Sequence, residues 1–250
     1  GCGQATSAKN GRAKPAPDLA SVTTLNDPRA YDGASTALLG DNAVRPIADA
    51  PESALPVTLT DVQGTKVKVT DTSRVLALDL YGTLARTVYE LGLGDRLVGR
   101  SISSDFAEIK SLPLVTHNGH ELNAESILDL DPTLVITDTS LGPWDVVLQL
   151  RDAGIPVVVT DPMRSLDNVD TITRQVAEAM GVADVGEQLV KRINAELADV
   201  ETKIAKVKAK DVADQPRTVF IYARGGAGVY HLFGEGTGAD SLIEALGLYD

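Results

Sequence analysis

One cysteine in 250 residues, Cys2, rules out any disulfide within the chain. Only three histidines are present, and neither a Ser-His-Asp arrangement nor a His-Glu-x-x-His pair occurs, so the usual hydrolytic and zinc-protease constellations are missing. Basic residues are in deficit, 23 Lys and Arg against 35 Asp and Glu, giving a net charge of -12 and a pI near 4.7. That balance argues against a nucleic-acid partner, whose phosphates need a basic surface, and against electrostatic adhesion to anionic lipid. No apolar run approaches the roughly 18 residues of a membrane-spanning helix. Aromatic residues make up only 4% of a chain that is 43% hydrophobic, a length and composition suited to one large or two small domains.

The position of the single cysteine is informative. A Cys at the start of the chain, followed by a Gly/Ala/Ser/Thr/Lys-rich stretch, matches the acylated cysteine of a bacterial lipoprotein after signal-peptide removal. A fortuitous surface cysteine is the plain alternative. Residues 1 to about 56 carry Pro15, Pro17, Pro28, Pro46, Pro51 and Pro56 without sustained periodicity, as an extended tether does, with room for a short helix around Gly33 to Gly40.

From Val57 the pattern changes. Val57 to Val69 alternates about Gln63-Gly64, as a hairpin does. Arg74 to Asp79 is a buried strand, Thr83 to Leu91 a helix closed by Gly92, and Leu97 to Gly99 the next strand. Asn123 caps a helix through Leu130, Pro132 stops it, and Thr133 to Thr137 is a strand. A helix near Trp144 to Ala153 and a strand at Ile155 to Thr160 follow, so helices alternate with near-continuous apolar strands, the mark of an α/β parallel sheet. Leu166 to Met180 carries a helical apolar stripe. Val185 to about Lys208 is a second, unusually long and charged helix, able to run from one lobe to another.

The chemistry-bearing stretch lies last. Thr218 to Ile221 reads as a buried strand delivering Tyr222 to its end, where a Gly-rich turn begins. Alternation points Tyr222 and Arg224 to one face. A guanidinium beside a phenol favours the phenolate, a hard anionic ligand for ferric iron, and tyrosine is among the side chains that hold haem iron. The plain alternative for Tyr222 is a strand-end ring packed and hydrogen-bonded locally. His120 sits in a loop before the Asn123 cap, where an imidazole can face a cleft, with His117 as its rival. On residues alone, a solvent-exposed or cap-associated role suits His120 better than ligation. Tyr230 counts among the residues lining the cargo, as wall rather than as a ligand; Phe233 is wall or core, and His231 lies on the strand behind the cleft. Gly234-Glu235-Gly236-Thr237-Gly238-Ala239 satisfies G-x-G-x-x-A, which would suit a dinucleotide-binding enzyme. It lies late in the chain and no acidic ribose contact follows, so a tight turn before a helix capped near Asp240 is the simpler reading.

The run from the hairpin through Arg74 to Asp79, Leu91 to Gly99 and Asn123 to Ile136 resembles the periplasmic binding proteins whose two lobes are bridged by one long helix. Within that family, Gly119 to Glu125 together with Tyr222-Ala223-Arg224 resembles the haemin-binding lipoproteins of HmuT type. The resemblance implies a two-lobed α/β fold: a tether over 1–56, a first lobe over 57–165, a bridging helical segment over 166–212, and the beginning of a second lobe over 213–250, incomplete in this chain. It implies ferric haem as cargo, held by His120 from one lobe and by Tyr222, with Arg224 as its hydrogen-bonding partner, from the other. It also implies delivery to the permease of an ABC importer at the extracytoplasmic face of the cell membrane, with anchorage through Cys2 and with haem-donating surface proteins as further partners. A binding protein rather than an enzyme is expected. A ferric siderophore or a corrinoid is the alternative cargo, since such ligands bring their own metal donors.

Overall fold

The computed structural model describes residues 18–33, 42–224 and 228–249. Cys2 and most of the short helix expected around Gly33 to Gly40 lie outside them. The first unit is built on a parallel sheet of three strands, β3 (Val75–Leu78), β6 (Leu134–Thr137) and β7 (Val157–Val159), with β6 in the centre. Helices cover both faces, which is why these strands are apolar at every position but Thr137. Val75 and Ala77 of β3 face α1 (Thr83–Val88), α4 (Val169–Ala179) and the start of α5 (Ala183–Val207), where Leu84, Val88, Ile172, Val176 and Leu189 form the larger core. Leu76 and Leu78, one residue out of phase, face α2 (Ala124–Leu128) and α3 (Trp144–Asp152) through Ile127, Val146, Val147 and Leu150. Strand alternation thus divides one sequence run between two cores.

The expected hairpin is present as β1 (Val57–Thr60) and β2 (Lys66–Val69), antiparallel, with Thr60 opposite Lys66 and Gly64 in the left-handed region. A second, small hairpin, β4 (Thr116–His117) and β5 (Glu121–Leu122), turns through Asn118 and Gly119, both at positive φ. Leu97 to Gly99 departs from expectation: it forms no full strand and meets the sheet through one parallel bridge, Leu97 to Val75, with Val98 N–H donating to the Val75 carbonyl at 3.1 Å. α1 ends at Val88 in a wide turn over Tyr89–Leu93 that contains Gly92 at φ 86. Residues 44–55, in the segment expected as tether, lie against this unit: Val44 is buried, Ile47 and Leu55 pack on the core, and Ile47 N–H donates to the Glu90 carbonyl.

α5 has 25 residues, about 38 Å at 1.5 Å per residue. Its first turns are seated on α4, where Gly186 approaches Ala177 too closely for a Cβ; after Val190 only Ile204 is buried. The chain then forms the antiparallel hairpin β8 (Phe220–Arg224) and β9 (Val229–Phe233), followed by α6 (Ala239–Ala245). β8 differs from expectation in two ways. Tyr222 lies inside the strand rather than at its end, and the strand is exposed: Val219, Phe220, Ile221 and Tyr222 all face solvent.

α6 touches the first unit through the residues after β7. Ser241 Oγ accepts from Leu166 N–H at 3.2 Å, and a Cβ at Gly238 would collide with the Arg164 carbonyl oxygen, at a backbone φ of +92 that disfavours any side chain. Gly238→Ala is therefore expected to lower stability by about 1–3 kcal/mol, because left-handed strain and overpacking act together. Gly64→Ala, at φ +79 with nothing within 4 Å of the added Cβ, isolates the strain alone and is expected to cost less. Thermal unfolding of the two variants side by side checks the order.

Candidate functional site

The carboxyl ends of β3, β6 and β7 carry a buried charge cluster. In open α/β sheets this is the edge that faces a ligand. Asp79 follows β3, Asp138 follows β6, and both are fully buried. Arg164, in the segment leaving β7, donates from one nitrogen to both carboxylates, at 3.0 Å to Asp79 and 2.6 Å to Asp138. Asp79 also accepts from the N–H groups of Thr83 and Leu84 at the start of α1, at 3.1 and 3.2 Å. Burial pushes the Asp79 carboxyl above the usual carboxylate range, outweighing the pull of Arg164 and of the Leu84 N–H, and neighbouring Asp138 pushes the same way. The guanidinium lies 5.1 Å from the ring centroid of the exposed Tyr81. Arg164 also lines a cavity of about 370 Å³ between α1, α4, α5 and α6, together with Thr83, Arg86, Leu166, Ser241 and Leu242.

His120 belongs to the same edge. Its hairpin is tied by the Glu121 to Gly142 bridge to the loop that leaves β6. Asn123 caps α2 as expected, accepting from Ser126 N–H at 2.8 Å. The two histidines of this hairpin differ in their surroundings. His117 is exposed, with Nε2 3.3 Å from Ser126 Oγ. His120 is half-buried, and its Nδ1 is buried with no hydrogen-bond partner among the described residues. A buried, unpartnered imidazole nitrogen is uncommon in a finished fold and fits a ring that waits for a ligand.

Tyr222 stands on the other unit, 46% exposed, and its hydroxyl makes no hydrogen bond among the described residues. The β8–β9 register sets Phe220 opposite Phe233 and Tyr222 opposite His231 along one face of the hairpin, and pairs Arg224 with Val229 in the backbone. The phenol and the imidazole are stacked, with ring centroids 6.2 Å apart and planes at 25°. Phe220 and Phe233 meet edge to face at 5.6 Å. Tyr230, 66% exposed, pairs with Ala223 and so lies on the opposite face. No contact joins His120 to Tyr222 among the described residues.

The Gly-rich turn before α6 has its own internal anion. Asp240 accepts from Gly236 N–H at 2.7 Å, Gly238 N–H at 3.1 Å and Ser241 N–H at 3.0 Å, and these bonds, Gly236's first, hold its carboxyl below the ordinary range. A dinucleotide phosphate would need those N–H groups, and the preceding strand belongs to an antiparallel hairpin rather than a parallel βαβ unit. The turn is thus a helix start closed by its own aspartate. Among the described residues no helix is long and apolar enough to cross a membrane, and no cluster of three or more His, Cys, Asp or Glu could hold a metal ion.

A family model described as periplasmic binding protein matches residues 79–250. The ABC transporter substrate-binding lipoprotein YvrC of Bacillus subtilis (strain 168) is 28% identical over 194 residues, covering 76% of this chain and 58% of that protein. A vitamin B12-binding protein of Pectobacterium atrosepticum is 29% identical over 149 residues, covering 59% of this chain and 51% of that protein. The chain therefore spans little more than half the length of these curated relatives. The crystal structure of heme binding protein HmuT superposes with a TM-score of 0.78 at 43% identity, over 83% of this chain and 66% of that one. HmuT has also been solved with a histidine, a tyrosine and an arginine each replaced by alanine, the tyrosine and the arginine standing two positions apart.

Proposed function

The chain belongs to the periplasmic binding proteins, and on that premise we propose that it captures ferric haem and hands it to the permease of an ABC importer. The observation that carries this reading is Tyr222: an exposed phenol with no hydrogen bond among the described residues, two positions before Arg224 on the same strand. The 43% identity to HmuT, and the same tyrosine-x-arginine spacing among the residues replaced there, support it. A porphyrin fills four positions around its iron and leaves two axial ones. An anionic phenolate from Tyr222 compensates the remaining positive charge of ferric haem, and a neutral imidazole from His120 fills the opposite side. Arg224 favours the phenolate by charge. The unpartnered Nδ1 of His120, against the Ser126 contact of His117, supports His120 as the ligand. Family and neighbours are substrate-binding transport proteins, in keeping with a carrier rather than a catalyst.

Spectra of the haemin-loaded protein test the histidine. His120→Ala is expected to keep the phenolate-to-iron charge-transfer absorption with one side of the iron open or water-filled, while His117→Ala leaves the spectrum unchanged. A spectrum altered by His117→Ala and not by His120→Ala overturns the assignment.

The finer location follows the same reading: the extracytoplasmic face of the cell membrane, with Cys2 as the acylated anchor, as the naming of the Bacillus subtilis relative as a lipoprotein supports. Haem-donating surface proteins are the upstream partners on this account. Cys2→Ser is expected to release the protein from membranes without changing its haem spectrum, as fractionation of expressing cells would show. Unchanged membrane retention would count against the anchor. The second reading, a corrinoid as cargo, is favoured only by the vitamin B12-binding relatives.

A further inference from the structure

We propose that His231 is the positioning residue of Tyr222, an inference that rests on the haem-binding reading of that tyrosine. Tyr222 and His231 face each other across β8 and β9, and their rings lie nearly parallel, 25° between planes at 6.2 Å. Such cross-strand pairs set side-chain conformation on a sheet face. The need for a positioning partner follows from the surroundings. The strand is exposed, the hydroxyl of Tyr222 is not hydrogen-bonded among the described residues, and Phe220 is taken up by its edge contact with Phe233.

A free phenol on an exposed strand samples several rotamers, each aiming its oxygen differently. A metal ligand has to present that oxygen along one direction, and the ordering is lost freedom that weakens binding unless it is already in place. The flat imidazole of His231 supplies that order through the face of the ring, leaving the phenol oxygen at the far end available. The role asks for a planar ring at position 231 and not for a ring nitrogen. His231 thus joins the binding face from the neighbouring strand, with no direct bond to iron.

The test uses the full chain with the variants His231→Ala, His231→Phe and Tyr222→Phe. Without ligand, the Tyr222 ring protons, identified by their loss in Tyr222→Phe, are followed by NMR. They are expected to be displaced by the neighbouring ring current, to relax toward free-tyrosine positions in His231→Ala, and to remain displaced in His231→Phe. With haemin, His231→Ala is expected to keep the phenolate-to-iron absorption but to release haemin roughly two- to tenfold faster, the span of an aromatic pair contribution. His231→Phe restores the slower rate. Tyr222 shifts indifferent to His231→Ala would overturn the proposal, and so would a His231→Phe variant as fast as His231→Ala. Failure of the haem reading has its own signature, a haemin spectrum indifferent to Tyr222→Phe, and in that case the ligand-free NMR still decides whether His231 orders the ring.

Discussion

Tyr222→Ala is expected to abolish the phenolate-to-iron absorption of the haemin-loaded protein and to weaken haemin binding by about a hundredfold or more. The size follows from the chemistry. Loss of a residue that merely supports a metal ligand costs about 10- to 100-fold in affinity, and Tyr222 is the proposed ligand itself and the anionic member of the proposed pair. Its replacement leaves a net positive iron facing an exposed apolar strand. Folding is not at risk, because the side chain is half exposed and its ring contact among the described residues is with the likewise exposed His231. Absorption spectroscopy with a haemin titration reads both effects at once. An affinity within a few-fold of the parent would remove Tyr222 from the site.

The second large effect is on stability. Arg164→Leu is expected to cost about 3–5 kcal/mol near neutral pH, because it leaves the buried carboxylates of Asp79 and Asp138 facing each other without a counter-charge. The loss depends on pH with a definite sign. The Asp79 carboxyl is raised in the fold from an ordinary value of 3.8. Its contribution to stability is therefore fully present below 3.8 and lost as pH rises through the higher native value, where the buried group must ionise. Removing Arg164 raises that native value further, so the variant loses more than the parent across this window and recovers part of its deficit on mild acidification. Adding Asp79→Asn and Asp138→Asn to Arg164→Leu should restore part of the stability, since the uncompensated charges are then gone. Urea unfolding at pH 5 and pH 7.5 checks this. A deficit equal at the two values, or smaller than about 1 kcal/mol, would contradict the account.

Much of the first unit can be read from local pattern. Val75 to Leu78, Leu134 to Thr137 and Val157 to Val159 are apolar at nearly every position because helices cover both faces of the sheet, and Asn123 announces α2 by its cap. Leu97 to Gly99 is not a full strand, because a short apolar run carries no information about pairing, and the run meets β3 only at Val75 through a single bridge. The cluster of Asp79, Asp138 and Arg164 was invisible, since its members are separated by 26 to 85 positions and meet only when three strand ends converge.

In the second unit the apolar run before Tyr222 marks a strand, and Tyr222 lies within β8. The exposure of β8 was not readable, because Val219, Phe220 and Ile221 look alike whether buried or not. His231 was missed for a different reason. Which residue of β9 faces Tyr222 depends on the register of the two strands, and a one-residue slip would put Tyr230 there instead. The motif before α6 looked like a phosphate loop because the same glycine geometry serves an internal carboxylate, here Asp240.

The most direct test of the central claim is a competition among cargos. Haemin, cyanocobalamin and a ferric hydroxamate siderophore are offered together at equal concentration to the protein and to Tyr222→Phe, and the bound fraction is identified by its absorption after gel filtration. The account predicts that the parent protein retains haemin, with a phenolate-to-iron band that Tyr222→Phe lacks. Retention of the corrinoid or the siderophore in place of haemin, or an identical haemin spectrum in both proteins, would contradict it.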